Sequence, residues 1–222
     1  MNPALRASAA HVFVDALEAI SLSKDDTHHL FRVLRLRDGE TVTVSDGRGE
    51  WRACTVTGNG LVPTGDVMVE SAAPSITIAA AIPKGDRVEW MVQKLTELGV
   101  SEIVFMHCDR SVVRWKGDRG ANQLDRLTRV AREAAMQSRR VWLPALRGPV
   151  EFAEAAAFPG AVIADPDGDA AGTATVVLIG PEGGFADAER QLCPLSIRLG
   201  PGILRVETAA VAAAAILGRD GR

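Results

Sequence analysis

Residues 174–185 read ATVVLIGPEGGF, and residues 196–210 read SIRLGPGILRVETAA. In both, a short apolar run stops abruptly at glycine and proline. The runs 174–179 and 196–199 have the length and β-branched content of buried strands. The glycines let the backbone take left-handed angles or approach a ligand closely, and proline stiffens the turn. In open α/β sheets ligands sit beyond the carboxyl ends of strands. Two rigid turns at neighbouring strand ends can therefore grip a flat molecule with main-chain groups. The bland alternative is two ordinary tight turns. Glu182, Arg205 and Glu207 lie beside them, and their presence favours a site.

Upstream, the same strand texture recurs between helices. SITIAAAI (75–82) and EIVFMH (102–107) are continuous apolar runs, as expected of strands buried on both faces. Between them Val88, Met91, Leu95 and Leu98 recur at helical spacing, and Gly99 ends the helix. A second amphipathic helix is expected over 121–140, with Leu124, Leu127, Val130, Ala131 and Ala134 inward. AVIA (161–164) gives one more strand, and ETAAVAAAAIL (207–217) a closing helix ended by Gly218. Strands alternating with helices imply a mostly parallel sheet covered on both sides.

The first seventy residues differ. A short helix within 25–40, with Asp25 or Asp26 as cap and running out before Asp38-Gly39, precedes an alternating run, 40–57, broken by an Asp46-Gly47 turn. That pattern predicts a hairpin. GDVMVE (65–70) adds a strand, and SAAPS (71–75) reads as a boundary. The expected organisation is a small β-rich domain over 1–72 and an α/β domain over 73–222.

Composition narrows the class. Hydrophobic residues make 47% of the 222 and charged residues 24%, ordinary for a globular chain, and the formal net charge is −3. Three widely spaced cysteines without a CxxC argue against a disulfide framework or zinc site and fit a reducing cytoplasm. No signal peptide and no membrane span are expected. Ten Lys/Arg against three acids between Arg110 and Arg147 give a local charge of +7. Arg32, Arg35, Arg110, Arg114, Arg139 and Arg140 are candidate RNA phosphate contacts, against the ordinary reading of a solvated helix face. Trp51 and Trp115 are candidates for base stacking or for the core. His28 and His29 are adjacent and diverge on a helix, His107 reads as packing or capping, and no metal site is expected. No GxGxxG follows a strand and no P-loop Lys-Ser/Thr occurs, so a ligand read by the backbone, such as an adenine ring, fits better than a dinucleotide.

LIGPEGGF followed by LGPGILRVETA resembles the paired C-terminal motif of the RsmE family of 16S ribosomal RNA uridine-N3 methyltransferases. HHLFRVLRLRDGE (28–40), KGDRVEWMVQKLTELGVSEIVFMHCDRSV (84–112) and REAAMQSRRVWLP (132–144) match further family segments in order. The chain departs from the family pattern at Met136, Gly202 and Val206. The resemblance implies a SPOUT methyltransferase domain with a C-terminal trefoil knot, preceded by a PUA-like β-barrel that helps hold RNA. It implies S-adenosylmethionine as cofactor, a homodimer, and 16S rRNA or the small ribosomal subunit as partner. Carried onto this chain, the cofactor contacts are Ile179, Gly180, Pro181, Gly183, Gly184, Leu199, Gly200, Ile203, Leu204, Thr208 and Ala209. Uridine N3 becomes nucleophilic only as its proton leaves. Arg205 is the candidate for stabilising the developing charge, and Glu182 and Glu207 are candidates for base or for orienting Arg205. The competing readings are a salt bridge for Arg205 and a helix N-terminal charge for Glu207. Two other functions fit the chain: a SPOUT-fold enzyme acting on another RNA, and a non-catalytic RNA-binding relative.

Overall fold

The computed structural model describes residues 2–72, 74–170 and 174–218. Ala73, within the expected boundary 71–75, lies outside them. The chain divides into two compact units. The first is Met1–Ala72 together with Arg132–Leu143, and the second is Ala73–Ala131 with Pro144–Arg222.

The first unit begins with α1 (Pro3–Ala7), β1 (Ala10–Phe13) and α2 (Lys24–His28), which runs into a π-helical turn at His29–Val33. The cap of α2 is Ser23, not Asp25 or Asp26: its hydroxyl accepts the Asp26 N–H at 3.0 Å. Asp26 is buried and pairs with Arg132 at 2.7 Å. Then come β2 (Thr41–Ser45), β3 (Glu50–Thr57), β4 (Gly60–Pro63) and β5 (Met68–Val69). β2 and β3 form the expected antiparallel hairpin, with Ser45 opposite Trp51. β1 lies parallel to β2, and β4 and β5 both pair with β3. Val12, Val42, Val44, Cys54 and Val56 form the core of this unit, against Leu30 and Met136.

The segment Arg132–Leu143, distant in sequence from the rest of this unit, packs here. Gly49 N–H bonds the Val141 carbonyl at 3.0 Å, and Trp142 Nε1 bonds that of Glu70 at 3.1 Å. Arg139 has a left-handed backbone (φ 56) and donates to the Ser8 and Ala9 carbonyls, both at 3.2 Å. Trp51 is 2% exposed, inside the core.

The second unit alternates β6 (Thr77–Ala81), α3 (Arg87–Leu98), β7 (Glu102–His107), α4 (Asp118–Gln137) and β8 (Ala145–Glu151). It continues with α5 (Phe152–Ala156), β9 (Ala161–Ala170), β10 (Val176–Ile179), α6 (Asp187–Leu192), β11 (Ser196–Arg198) and α7 (Val206–Leu217). Its six strands form a parallel sheet in the order β11-β9-β10-β6-β7-β8. Alternation along the strands feeds two cores. Ile78, Ala80, Ile103 and Phe105 face α3 and α7, while Ala79, Ala81, Val104 and Met106 face Phe152, Ala155 and Phe185. Strands buried on both faces need no polar alternate positions, hence the continuous apolar runs. Trp115 belongs to the first of these cores, with its ring 4.9 Å from Phe105.

Gly99 ends α3 in the left-handed conformation at φ 84. Leu98 departs from its expected place: it is 40% exposed, while Val88, Met91, Val92 and Leu95 carry the buried face. In α7 the core face is Ala209, Ala210, Ala213, Ala214 and Leu217.

Candidate active site

The two glycine turns follow β10 and β11, and β9 lies between those strands in the sheet. The turns after β10 and β11 and the middle of β9 together enclose one cavity of about 230 Å³. Its floor is the middle of β9, at Ala164, Asp165 and Pro166. One wall is Ile179, Gly180, Pro181, Glu182, Gly184 and Phe185, with Arg190 of α6 beside them. The other is Leu199, Gly200, Gly202, Ile203, Leu204 and Arg205, closed by Val206 and Ala209 at the start of α7.

The 180–184 turn is fixed from several sides. Gly184 has φ 70, and its N–H bonds the Pro181 carbonyl at 2.8 Å. Arg110 donates to the Gly183 carbonyl at 2.9 Å. Glu189 is 4% exposed; its carboxylate accepts the Asp109 N–H at 3.0 Å and the Ala186 N–H at 2.7 Å. Gly180 is required by close packing: a Cβ there would stand 3.0 Å from the Phe185 ring. The second turn is more open. A Cβ on Gly200 would meet only Leu204, at 3.9 Å, and one on Gly202 would meet nothing within 4 Å.

Most of the expected ligand contacts thus share one cavity. Gly183 and Thr208 do not line it. Of the three expected catalytic side chains, Arg205 and Glu182 line the cavity and Glu207 does not. Arg205 occupies the N-cap of α7 and makes no ion pair among the described residues. Glu207 is 7% exposed and faces Arg87 at 3.6 Å, with one carboxylate oxygen lacking any hydrogen bond. Arg87, at the start of α3, rather than Arg205, is its cationic partner.

The sequence did not single out Asp165 or Arg190. Asp165 is 7% exposed. Burial alone would raise its pKa, but the Asp167 N–H, 2.9 Å from Oδ1, and the Arg190 guanidinium on Oδ2 together hold the carboxyl below its usual range. An acid followed by proline after an apolar run, IADP (163–166 within AVIADP), is the only sequence signal for it.

The candidate RNA contacts separate by circumstance. Arg32 and Arg35 are exposed on and after the π-helical turn. Arg110 and Arg114 are exposed but anchor the Gly183 and Cys108 carbonyls. Arg139 is consumed by carbonyls of its own unit, and its buried Nε has no partner. Arg140 is half-buried. His107 is buried; its Nε2 accepts the Trp115 N–H at 3.2 Å, so Nδ1 carries the proton toward Glu151 at 3.3 Å. Both ring nitrogens are engaged, as a packing and capping histidine requires. Among the described residues no group of three or more His, Cys, Asp or Glu is placed to hold a metal ion, and no helix is long and apolar enough to cross a membrane.

A parallel sheet with paired glycine turns around a cavity, in a chain that also carries a separate β unit, is the architecture of SPOUT-class RNA methyltransferases carrying a PUA domain. The family model for the RNA methyltransferase domain matches residues 70–218, and that for the RNA methyltransferase PUA domain matches residues 22–60. Ribosomal RNA small subunit methyltransferase E of Mycobacterium tuberculosis is 31% identical over 220 residues, covering 87% of this chain and 84% of its own. That of Synechocystis is 32% identical over 226 residues, covering 88% and 71%. A methyltransferase from Legionella pneumophila, solved with the cofactor SAM bound, superposes with a TM-score of 0.82 at 28% identity, covering 95% of this chain and 97% of that one. The ribosomal RNA small subunit methyltransferase E of Neisseria gonorrhoeae, solved bound to S-adenosyl methionine, gives 0.79 at 26% identity, covering 95% and 97%. The chain belongs to the ribosomal RNA small subunit methyltransferase E family.

Proposed function

We propose that this protein is an S-adenosylmethionine-dependent methyltransferase that methylates N3 of a specific uridine in 16S ribosomal RNA. The observation that carries the proposal is the cavity between the turns after β10 and β11 and the middle of β9, in a chain of this family. The residues present fit the cofactor. Ile179, Leu204 and Ala209 offer apolar contact to a ring, and the 180–184 and 199–204 turns bring main-chain groups to the cavity without side chains in the way. When bound, S-adenosylmethionine supplies an electrophilic methyl group on a sulfonium.

The rest of the chemistry falls to the chain. A uracil held at the cavity must shed its N3 proton, and the negative charge spreads onto the ring carbonyl oxygens. Arg205 is on the cavity wall with no ion pair to satisfy it first, so its guanidinium is available to donate to such an oxygen as charge develops. Glu182 is the carboxylate of the expected trio on the opposite wall of the same cavity, suited to orient Arg205 or receive the proton. Glu207 is assigned to holding Arg87 at the root of α7. Of the candidate RNA contacts, Arg32, Arg35, Arg110 and Arg114 keep exposed guanidinium groups, and these are assigned to phosphates. The working form is a cytoplasmic homodimer, and the C-terminal segment closes the knot that the resemblance implies. Support for the latter is that β11 pairs at the edge of the sheet while α7 returns to pack on α3 and β6.

The test is incubation with S-adenosylmethionine and either naked 16S RNA or small ribosomal subunits, followed by mass spectrometry of the nucleosides. The expected product is 3-methyluridine at one position. Methylation of another base, or of another RNA only, overturns the substrate assignment; no methylation of any RNA with cofactor bound overturns the activity.

A further inference from the structure

The floor of the cavity is shaped by an irregularity in the sheet. β11 stands with Ser196 opposite Ile163 and Ile197 opposite Asp169. One step along β11 thus corresponds to six along β9. β10 pairs with β9 only as far as Ile163. Residues 164–168 therefore face no partner in either register and bow out of the ladder at the point where the two glycine turns converge. Bulges of this kind re-aim side chains and gather beside active sites. Here the bulge carries Asp165, buried on the cavity floor, with Oδ1 taken by the Asp167 N–H at 2.9 Å and Oδ2 by Arg190. A carboxylate has about four acceptor positions, so roughly two remain free.

Net charge decides what those free positions take. Asp165 and Arg190 together are neutral, and a cationic group approaching the carboxylate would meet the guanidinium as well. Neutral donors are favoured, and two adjacent hydroxyls match the two remaining acceptor positions. We propose that Asp165, held in place by Arg190, is a binding residue that accepts hydrogen bonds from the ribose hydroxyls of the nucleoside cofactor, so that the bulge of β9 is the ribose subsite of the cavity. The inference rests on the cofactor assignment made above and adds to it a side-chain contact in a site otherwise built from backbone. Arg190 is assigned as a positioning residue, its guanidinium engaged on the Asp165 carboxylate at the edge of the cavity.

The experiment is calorimetric titration of the full-length protein with S-adenosylmethionine and with its 2′-deoxy and 3′-deoxy analogues. The wild type binds the parent compound and discriminates against at least one deoxy analogue by about 10-fold or more, the scale of a hydrogen bond to a charged acceptor. Asp165→Ala binds the parent about 10- to 100-fold more weakly and no longer distinguishes it from that analogue. Asp165→Asn, which keeps the side-chain shape and one acceptor oxygen, retains part of the preference and serves if the alanine variant fails to fold. Arg190→Met weakens binding less than Asp165→Ala, and Arg190→Lys restores it. An unchanged hydroxyl preference in a folded Asp165 variant overturns the inference while leaving the cofactor assignment standing. Loss of preference for the amino group rather than the hydroxyls, read with an analogue lacking that amine, also overturns it. A wild-type protein that binds no S-adenosylmethionine overturns both.

Discussion

His11 is 2% exposed in the first unit, with Nδ1 2.9 Å from the Thr43 hydroxyl and Nε2 without a partner. Burial, and after it the charge of Arg139, holds its pKa down to about 4 from 6.5. The unfolded chain therefore binds a proton that the folded chain refuses between those two values. Stability present above pH 6.5 is lost as pH falls toward 4, by up to ~3 kcal/mol. Melting temperatures measured across pH 4–7 should fall more steeply for the wild type than for His11→Asn; parallel slopes would remove His11 as the cause. A different residue tests the chemistry. If Arg205 stabilises charge on the uracil, Arg205→Ala lowers kcat by ~10²–10³-fold with cofactor affinity nearly unchanged. Raising pH toward the uridine pKa narrows the defect, because the proton then leaves with less help. Arg205→Lys recovers only part of the rate, since a point charge does not reproduce a planar fork. Single-turnover rates over pH 6–9.5 with saturating RNA read both; a defect that stays constant across that range assigns Arg205 to binding instead.

At the scale of elements, the two glycine turns answer to different pressures. Gly180→Val drives side-chain atoms into the Phe185 ring, so it should lower the melting temperature whether or not a ligand binds there. Gly200 has no such neighbour and no left-handed backbone. Gly200→Val should leave the melt unchanged and weaken S-adenosylmethionine binding by roughly 10-fold or more, the steric cost of crowding a packed ligand; full affinity in a folded variant moves the cofactor elsewhere. Both turns were legible in the sequence because glycine and proline mark them locally. So were β6 and β7, whose burial on both faces writes itself as an unbroken apolar run. β8 was not: Arg147, Gly148 and Pro149 interrupt ALRGPVE, and most of its residues are half-buried, so no period emerges. Asp165 escaped for a deeper reason. Its exposure to the cavity depends on where β11 resumes pairing with β9, some thirty residues downstream, and no local pattern encodes that register. Segment 132–143 packs with the first unit through Gly47, Gly49, Ser8 and Glu70, all distant in sequence, so no local pattern encodes that packing.

For the whole molecule the open question is what covers α7. An alanine-rich helix apolar nearly all round suggests burial on every side. Within the chain only one side is covered. Ala209, Ala210, Ala213, Ala214 and Leu217 are buried, whereas Thr208 and Ala215 are exposed and Val211, Ala212 and Ile216 are partly so. The second set recurs at helical spacing, 208, 211, 212, 215 and 216, so it forms one continuous, nearly apolar face. Ala213, between these positions, is at 0% exposure and belongs to the core of its own chain, whereas Ala212 is partly exposed. Small residues let two helices approach closely, and the proposed homodimer would bury this face against the corresponding one of a second copy. The expected outcome is a dimer by light scattering at micromolar concentration. Ala212→Glu and Ala215→Glu place a charge on the free face and should give a monomer with nearly unchanged melting temperature. Ala213→Glu buries an unpaired charge in the core and should instead unfold the second unit. A wild type that is monomeric at micromolar concentration, or a dimer that survives glutamates at both 212 and 215, would show that α7 is not the interface.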